Sequence, residues 1–183
     1  IDVSSSIIYE NKVEELWLDP MNLLTIANNI RKGFEEYTTT AYLIEDINEQ
    51  YDILKQELIK LDADYREMAE RANRSTIVVN DDMFLYLEKY GITVISLEEN
   101  ENLTQKNIHT VTTMINNGDI KYIYVTNNSE VNDTIKSIQK KTDVKLIELH
   151  TLYKLSEEEF NKDADYFSIM KSNLESLKKQ LYD

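Results

Sequence analysis

Cysteine is absent from this chain. That removes disulfides, thiolate nucleophiles and Cys-ligated zinc, and leaves the redox compartment open. Histidine is nearly as scarce, with only His109 and His150, so a Ser-His-Asp arrangement has little to draw on. No Gly-x-Gly-x-x-Gly turn, P-loop or Gly-x-Ser-x-Gly elbow occurs, which leaves nucleotide binding and ester chemistry without a local signature. Positive charge is short as well: 20 Lys and Arg stand against 34 Asp and Glu, a net charge of -14. Such a balance argues against a broad surface for nucleic acid or an anionic membrane. No apolar run approaches the ~20 residues that cross a bilayer, so membrane insertion of this segment is not expected.

Glycine and proline are few, three and one, so the chain's 183 residues should form long regular elements. The single proline sits in Trp17-Leu18-Asp19-Pro20, where Asp19 can cap free backbone N–H groups and Pro20 fits the first helical position. Leu23, Ala27, Ile30 and Phe34 then recur at helical spacing, with Gly33 expected near that helix's end. A stronger stripe follows: Ile44, Ile47, Tyr51, Leu54, Leu58, Leu61, Tyr65, Met68 and Ala72 alternate in steps of three and four. It predicts one helix over 40–72, with the stripe lying on the protein's own core rather than in a coiled-coil seam.

From Ser75 onward the period changes. Strands are predicted at 75–79, 92–96, 120–125 and 144–149, separated by helical segments. These segments are 82–90, closed by Gly91; a stretch capped by Thr104 and ended by Gly118; and one opened by Ser129. Strands alternating with helices imply right-handed parallel crossovers. The expected fold is α/β: a four-stranded parallel sheet with helices on both faces, preceded by a long linker helix. Phe167, Met170, Leu174, Leu177 and Leu181 mark a last helix that packs back on the body. Glu98-Glu99-Asn100-Glu101-Asn102 reads as a solvated loop, and His109 falls on the wet face of its helix.

Glu15-Leu16-Trp17-Leu18-Asp19-Pro20 resembles the His-x-Trp-Leu-Asp-Pro signature of cluster A-I solute-binding lipoproteins, which feed zinc or manganese ABC importers. The order of the whole chain resembles the second half of such a protein. Ile1-Asp2-Val3-Ser4-Ser5-Ser6-Ile7 is similar to the close of the first lobe. The heptad helix resembles the rigid connection between lobes, and Asp165-Tyr166-Phe167 with Met170 and Asn173 resembles the closing helix. The implied division is 1–19 for the end of the first lobe, 20–74 for the helical linker and 75–183 for the C-terminal lobe.

The resemblance also implies ligand positions. Glu15 stands where the family has its signature histidine. Asp81 stands at the ligand after the first strand of the second lobe, and His150 at the ligand after its last strand. All three differ from the family's commonest ligand type, yet carboxylates and imidazole are legitimate ligands for zinc or manganese, and a carboxylate-rich set leans towards the harder ion. The resemblance implies a non-enzymatic metal-binding component outside the cytoplasm, anchored as a lipoprotein in the full-length protein. Its partners would be the missing N-terminal lobe and an ABC transporter permease. Two outcomes follow for the metal: a degenerate zinc or manganese site, or a paralogue that binds none and serves as an interaction or structural module on the cell surface.

Overall fold

The structure is a computed structural model and describes residues 3, 4, 7, 15–127 and 130–183. Most of the segment before Glu15, and Ser129, lie outside the described residues. The chain divides into two compact units, Ile1–Asp64 and Tyr65–Asp183.

In the first unit, a short 3-10 turn over Leu16–Leu18 leads into helix α1 (Pro20–Tyr37). Asp19 caps α1 as expected, its carboxylate accepting from Met21 N–H at 2.8 Å, and Pro20 occupies the first helical position. Gly33 lies near the end of this helix as expected, buried in its last turn but one, with Tyr37 the final residue. Helix α2 (Ala41–Glu70) begins in the first unit and its last six residues belong to the second; it has 30 residues, or about 45 Å at 1.5 Å per residue. Neither Pro nor Gly interrupts it, and Leu58, Leu61, Tyr65 and Met68 of the stripe are buried within the chain.

The second unit is built on four parallel strands in the order β2-β1-β3-β4. They are β1 (Thr76–Val79), β2 (Thr93–Ser96), β3 (Tyr122–Thr126) and β4 (Lys145–Leu149). Between β1 and β2 runs Asp82–Tyr90, a 3-10 helix, capped by Asp81 and closed by Gly91 at φ 84, a conformation that favours glycine. Helix α3 (Gln105–Asn116) follows its Thr104 cap, and Gly118 turns the chain at φ 79. Helix α4 covers Asp133–Gln139 and is capped by Asn132, so it starts later than the Ser129 opening anticipated. Two further helices, α5 (Glu157–Asn161) and α6 (Tyr166–Leu181), complete the unit.

Side chains alternate across a sheet, so each buried strand feeds two cores. On one face Val78, Ile123 and Val125 pack with Val111 of α3 and with Ile135 and Ile138 of α4. On the other, α6 lies against β1 and β4 and buries Ile169, Met170, Leu174 and Leu177. Tyr124 donates from its hydroxyl to the Ser176 and Leu177 carbonyls at 3.0 and 3.1 Å, and Tyr65 donates to the Met170 carbonyl at 2.8 Å. Burial pushes both phenols well above their ordinary range, which keeps them as donors. The expected four-stranded parallel sheet with helices on both faces is the observed architecture.

Candidate metal centre

Open parallel sheets present ligands beyond the carboxyl ends of their strands, and here that edge is pinned by asparagine side chains. Asn80, directly after β1, accepts from Thr126 N–H at 2.9 Å and donates to the Thr126 hydroxyl at 3.1 Å. Asn127, directly after β3, accepts from Thr151 N–H at 2.8 Å and from its hydroxyl at 3.1 Å. Asn132 donates to the Leu97 carbonyl at the end of β2 at 2.8 Å. Asn173 of α6 is 4% exposed, and its carboxamide accepts from His150 N–H and donates to His150 C=O, both at 2.8 Å. The chain leaving each strand is therefore held by a buried or half-buried amide, which fixes where the next residue points.

Asp81 and His150 both occupy this edge. Asp81 lies two residues past β1, and His150 is the residue after β4. Strand β3 runs between β1 and β4, so the two backbones lie about 10 Å apart at ~4.8 Å per strand spacing. The Asp81 carboxylate accepts from Met83 N–H at 3.0 Å, as an N-cap should. Glu15 belongs to the first unit and is half-buried at the start of the Leu16–Leu18 turn, its carbonyl accepting from Leu18 N–H. Among the described residues, no three His, Asp or Glu side chains gather closely enough to hold a metal ion.

The imidazole of His150 is about 10% exposed and faces a cavity of about 320 Å³ lined by Asn127, Glu148, Ser156, Glu159 and Asn173. Its Nδ1 accepts a hydrogen bond from Leu152 N–H at 2.8 Å. A neutral imidazole carries one ring proton, and an Nδ1 that accepts has none, so the proton is on Nε2. That nitrogen is buried, makes no hydrogen bond of good geometry, and lies 3.5 Å from Glu159 Oε1. Glu159 closes a capping box with Ser156, accepting from its N–H and hydroxyl, both at 2.7 Å. These bonds, with smaller help from His150, hold the Glu159 carboxyl below its ordinary range.

A second polar niche lies beside Asp81. Glu98 Oε2 accepts from Asp82 N–H at 2.8 Å, and Asn100 donates to Asp82 Oδ2 at 3.0 Å. Burial raises the Glu98 carboxyl; the Asp82 N–H opposes the rise, and the Asp82 and Asp81 carboxylates add to it. Glu99 accepts from the backbone and hydroxyl of Thr134, both at 2.9 Å. Residues 98–100 are therefore bonded structure, not the solvated loop their composition predicts. His109 is exposed, as its helical phase requires. A larger groove of about 670 Å³ opens at the opposite edge, near Lys121, Lys140, Lys141 and Lys145, whose ammonium groups would repel a cation.

A family profile described as zinc-uptake complex component A, periplasmic (ZnuA) matches residues 11–180. The chain belongs to the ZnuA family. That family consists of zinc-uptake solute-binding components, not enzymes. Zinc-binding protein AdcA of Streptococcus pyogenes is 29% identical over 168 residues, covering 89% of this chain and 32% of that protein. High-affinity zinc uptake system protein ZnuA of Bacillus subtilis is 31% identical over 180 residues, covering 91% of this chain and 52% of that protein. The chain thus spans about a third to a half of the length of these curated relatives. Among solved structures, the Zn(II)-bound ZnuA-like domain of Streptococcus pneumoniae AdcA superposes with a TM-score of 0.78 at 21% identity, over 100% of this chain and 70% of that one. The metal-dependent lipoprotein YcdH of Bacillus subtilis gives 0.79 at 25% identity, with the same coverages. No helix among the described residues is long and apolar enough to cross a membrane.

Two features of the site escaped sequence reasoning. Glu159 carried a signal, since Ser156-x-x-Glu159 is a capping-box pattern. The asparagine ties carried none, because an asparagine after a strand is also an ordinary loop residue.

Proposed function

We propose that this chain is the C-terminal part of an extracytoplasmic zinc-binding component of an ABC importer, with Glu15, Asp81 and His150 at the ligand positions of a weakened site. The observation that carries the reading is the placement of Asp81 and His150 on one edge of the sheet, beyond the carboxyl ends of β1 and β4, in a chain of the ZnuA family. Zinc is the transported cargo, favoured over manganese because the relatives are described as zinc-binding or zinc-uptake proteins. The missing first lobe, a lipid anchor and a permease partner complete the reading, with the chain divided near residues 19 and 74.

The site is read as weakened for two reasons. The ligand types at all three positions differ from those the family uses most, and Nδ1 of His150 is taken by the Leu152 N–H while Nε2 is buried 3.5 Å from Glu159 Oε1. The second of these also favours the alternative, a paralogue that has exchanged metal binding for an interaction or structural role. Zinc titration with a thermal-unfolding readout separates the two. Zinc binding is expected to raise the melting temperature of the full-length protein, and His150→Ala or Asp81→Asn to reduce that rise. No zinc-dependent shift in the full-length protein would favour the paralogue.

A further inference from the structure

The turn after β4 ties the His150 ring to the backbone of Leu152. Leu152 sits at φ 64. For a residue with a Cβ the left-handed region is strained by about 1–2 kcal/mol, so something must hold Leu152 there. Its N–H donates to His150 Nδ1 at 2.8 Å, and Thr151 between them is tied to Asn127. Coordination needs a bare nitrogen lone pair. The Nδ1 lone pair points at the Leu152 N–H, and Nε2 carries the ring proton towards Glu159, 3.5 Å away. If Nε2 is to ligate, the proton must leave it and another must be taken up on Nδ1. An Nδ1–H would then face the Leu152 N–H, donor against donor, so the turn would have to open.

We propose that residues 150–152 form a latch on the His150 ligand position, closed by the Leu152 N–H and aided by the Glu159 carboxylate. Zinc is bound through Nε2 only after Leu152 leaves the left-handed region and the ring proton moves from Nε2 to Nδ1, with no net change in protonation. The latch rests on the reading of His150 as a zinc ligand, and it adds a conformational term that weakens the site.

The test uses the full-length protein with zinc alone as the probe, and two variants of opposite sign. Leu152→Gly removes the strain of the closed turn and should weaken zinc binding by roughly 5- to 30-fold, the 1–2 kcal/mol of that strain converted at 1.4 kcal/mol per tenfold. Leu152→Val keeps the N–H but disfavours positive φ further, and should tighten binding. Nitrogen-15 spectra of the imidazole should show the Nε2–H tautomer in zinc-free protein and Nδ1–H after zinc is added. An Nδ1–H tautomer in zinc-free protein overturns the latch. So do equal zinc affinities in the two variants while His150→Ala still weakens binding. If His150→Ala leaves zinc affinity unchanged, the ligand reading of His150 falls and the latch falls with it.

Discussion

The carboxamide of Asn173 completes the backbone of His150 as a neighbouring strand would, accepting its N–H and donating to its C=O at 2.8 Å each. β4 is an edge strand, and His150 is its first residue beyond the ladder. Without Asn173 both groups would stay unpaired in a half-buried place, at about 1–3 kcal/mol for each such loss. Asn173→Ala should therefore destabilise the fold by roughly 2–4 kcal/mol and lower the melting temperature by roughly 5–15 °C. Asn173→Asp should not rescue it, because its second carboxylate oxygen would face the His150 carbonyl. A melting temperature for Asn173→Ala within a degree of wild type would show that water replaces the amide without loss.

Tyr65 and Tyr124 each bury a phenol whose hydroxyl reaches a carbonyl of α6. Replacing either with Phe keeps the ring's packing and removes the bonds of its hydroxyl, which for Tyr65 include one with the Tyr86 side chain. Each replacement should lower stability by about 1 kcal/mol, or ~2–4 °C for a chain of this size. Denaturant unfolding of the two variants and the double variant checks this. The hydroxyls contact α6 at separate places, so the two losses should add.

Asp165 caps α6, its carboxylate accepting from Ser168 N–H at 2.7 Å while the Ser168 hydroxyl donates back towards the cap. The Ser168 bonds, side chain first and backbone second, hold its carboxyl below the ordinary 3.8. A carboxyl whose value falls on folding contributes stability above its unfolded value and loses it as pH drops through the folded one. Asp165→Ala should cost about 1 kcal/mol at neutral pH. The gap in melting temperature from wild type should stay constant from pH 7 to about 5 and narrow only below about 4, where the wild-type carboxyl protonates. A gap that does not depend on pH would assign the loss to the helix backbone rather than to the charged cap.

The large elements were legible because their signals are local. The β-branched runs at Thr76–Val79 and Tyr122–Thr126 can be little but buried strands, and the stripe from Ile44 to Met68 can be little but one helix. Asp81 and His150 could be placed on the edge because each follows a strand. What the sequence could not show depends on strand order. Asn80 reaches Thr126 only because β1 lies beside β3, and nothing in the spacing of Asn80 announces that neighbour. Over nine residues, Asp82–Tyr90 does not distinguish a 3.0 from a 3.6 period, so its 3-10 form was hidden. Leu152 gave no warning of its positive φ, which in sequence is announced by glycine or asparagine.

The ligand positions yield the last prediction. On the proposed carry-over, Glu15 stands where the resembled signature has histidine and Asp81 where it has His or Glu, and imidazole is a softer ligand that suits zinc better than a carboxylate does. The variant Glu15→His with Asp81→His should bind zinc more tightly than wild type in the full-length protein, and its preference over manganese should widen. Asp81→His also removes the cap on Met83 N–H, so the zinc-free variant should melt lower by the ~1 kcal/mol of a lost cap. The two effects have opposite signs and separate cleanly: lower stability without zinc, and a larger rise with it. A ligand at a hundred times its dissociation constant adds about 2.7 kcal/mol, roughly 5–10 °C here. If the double variant loses stability and gains no zinc response, Glu15 and Asp81 do not stand at the metal, and the interaction-module reading gains the ground that the zinc reading gives up.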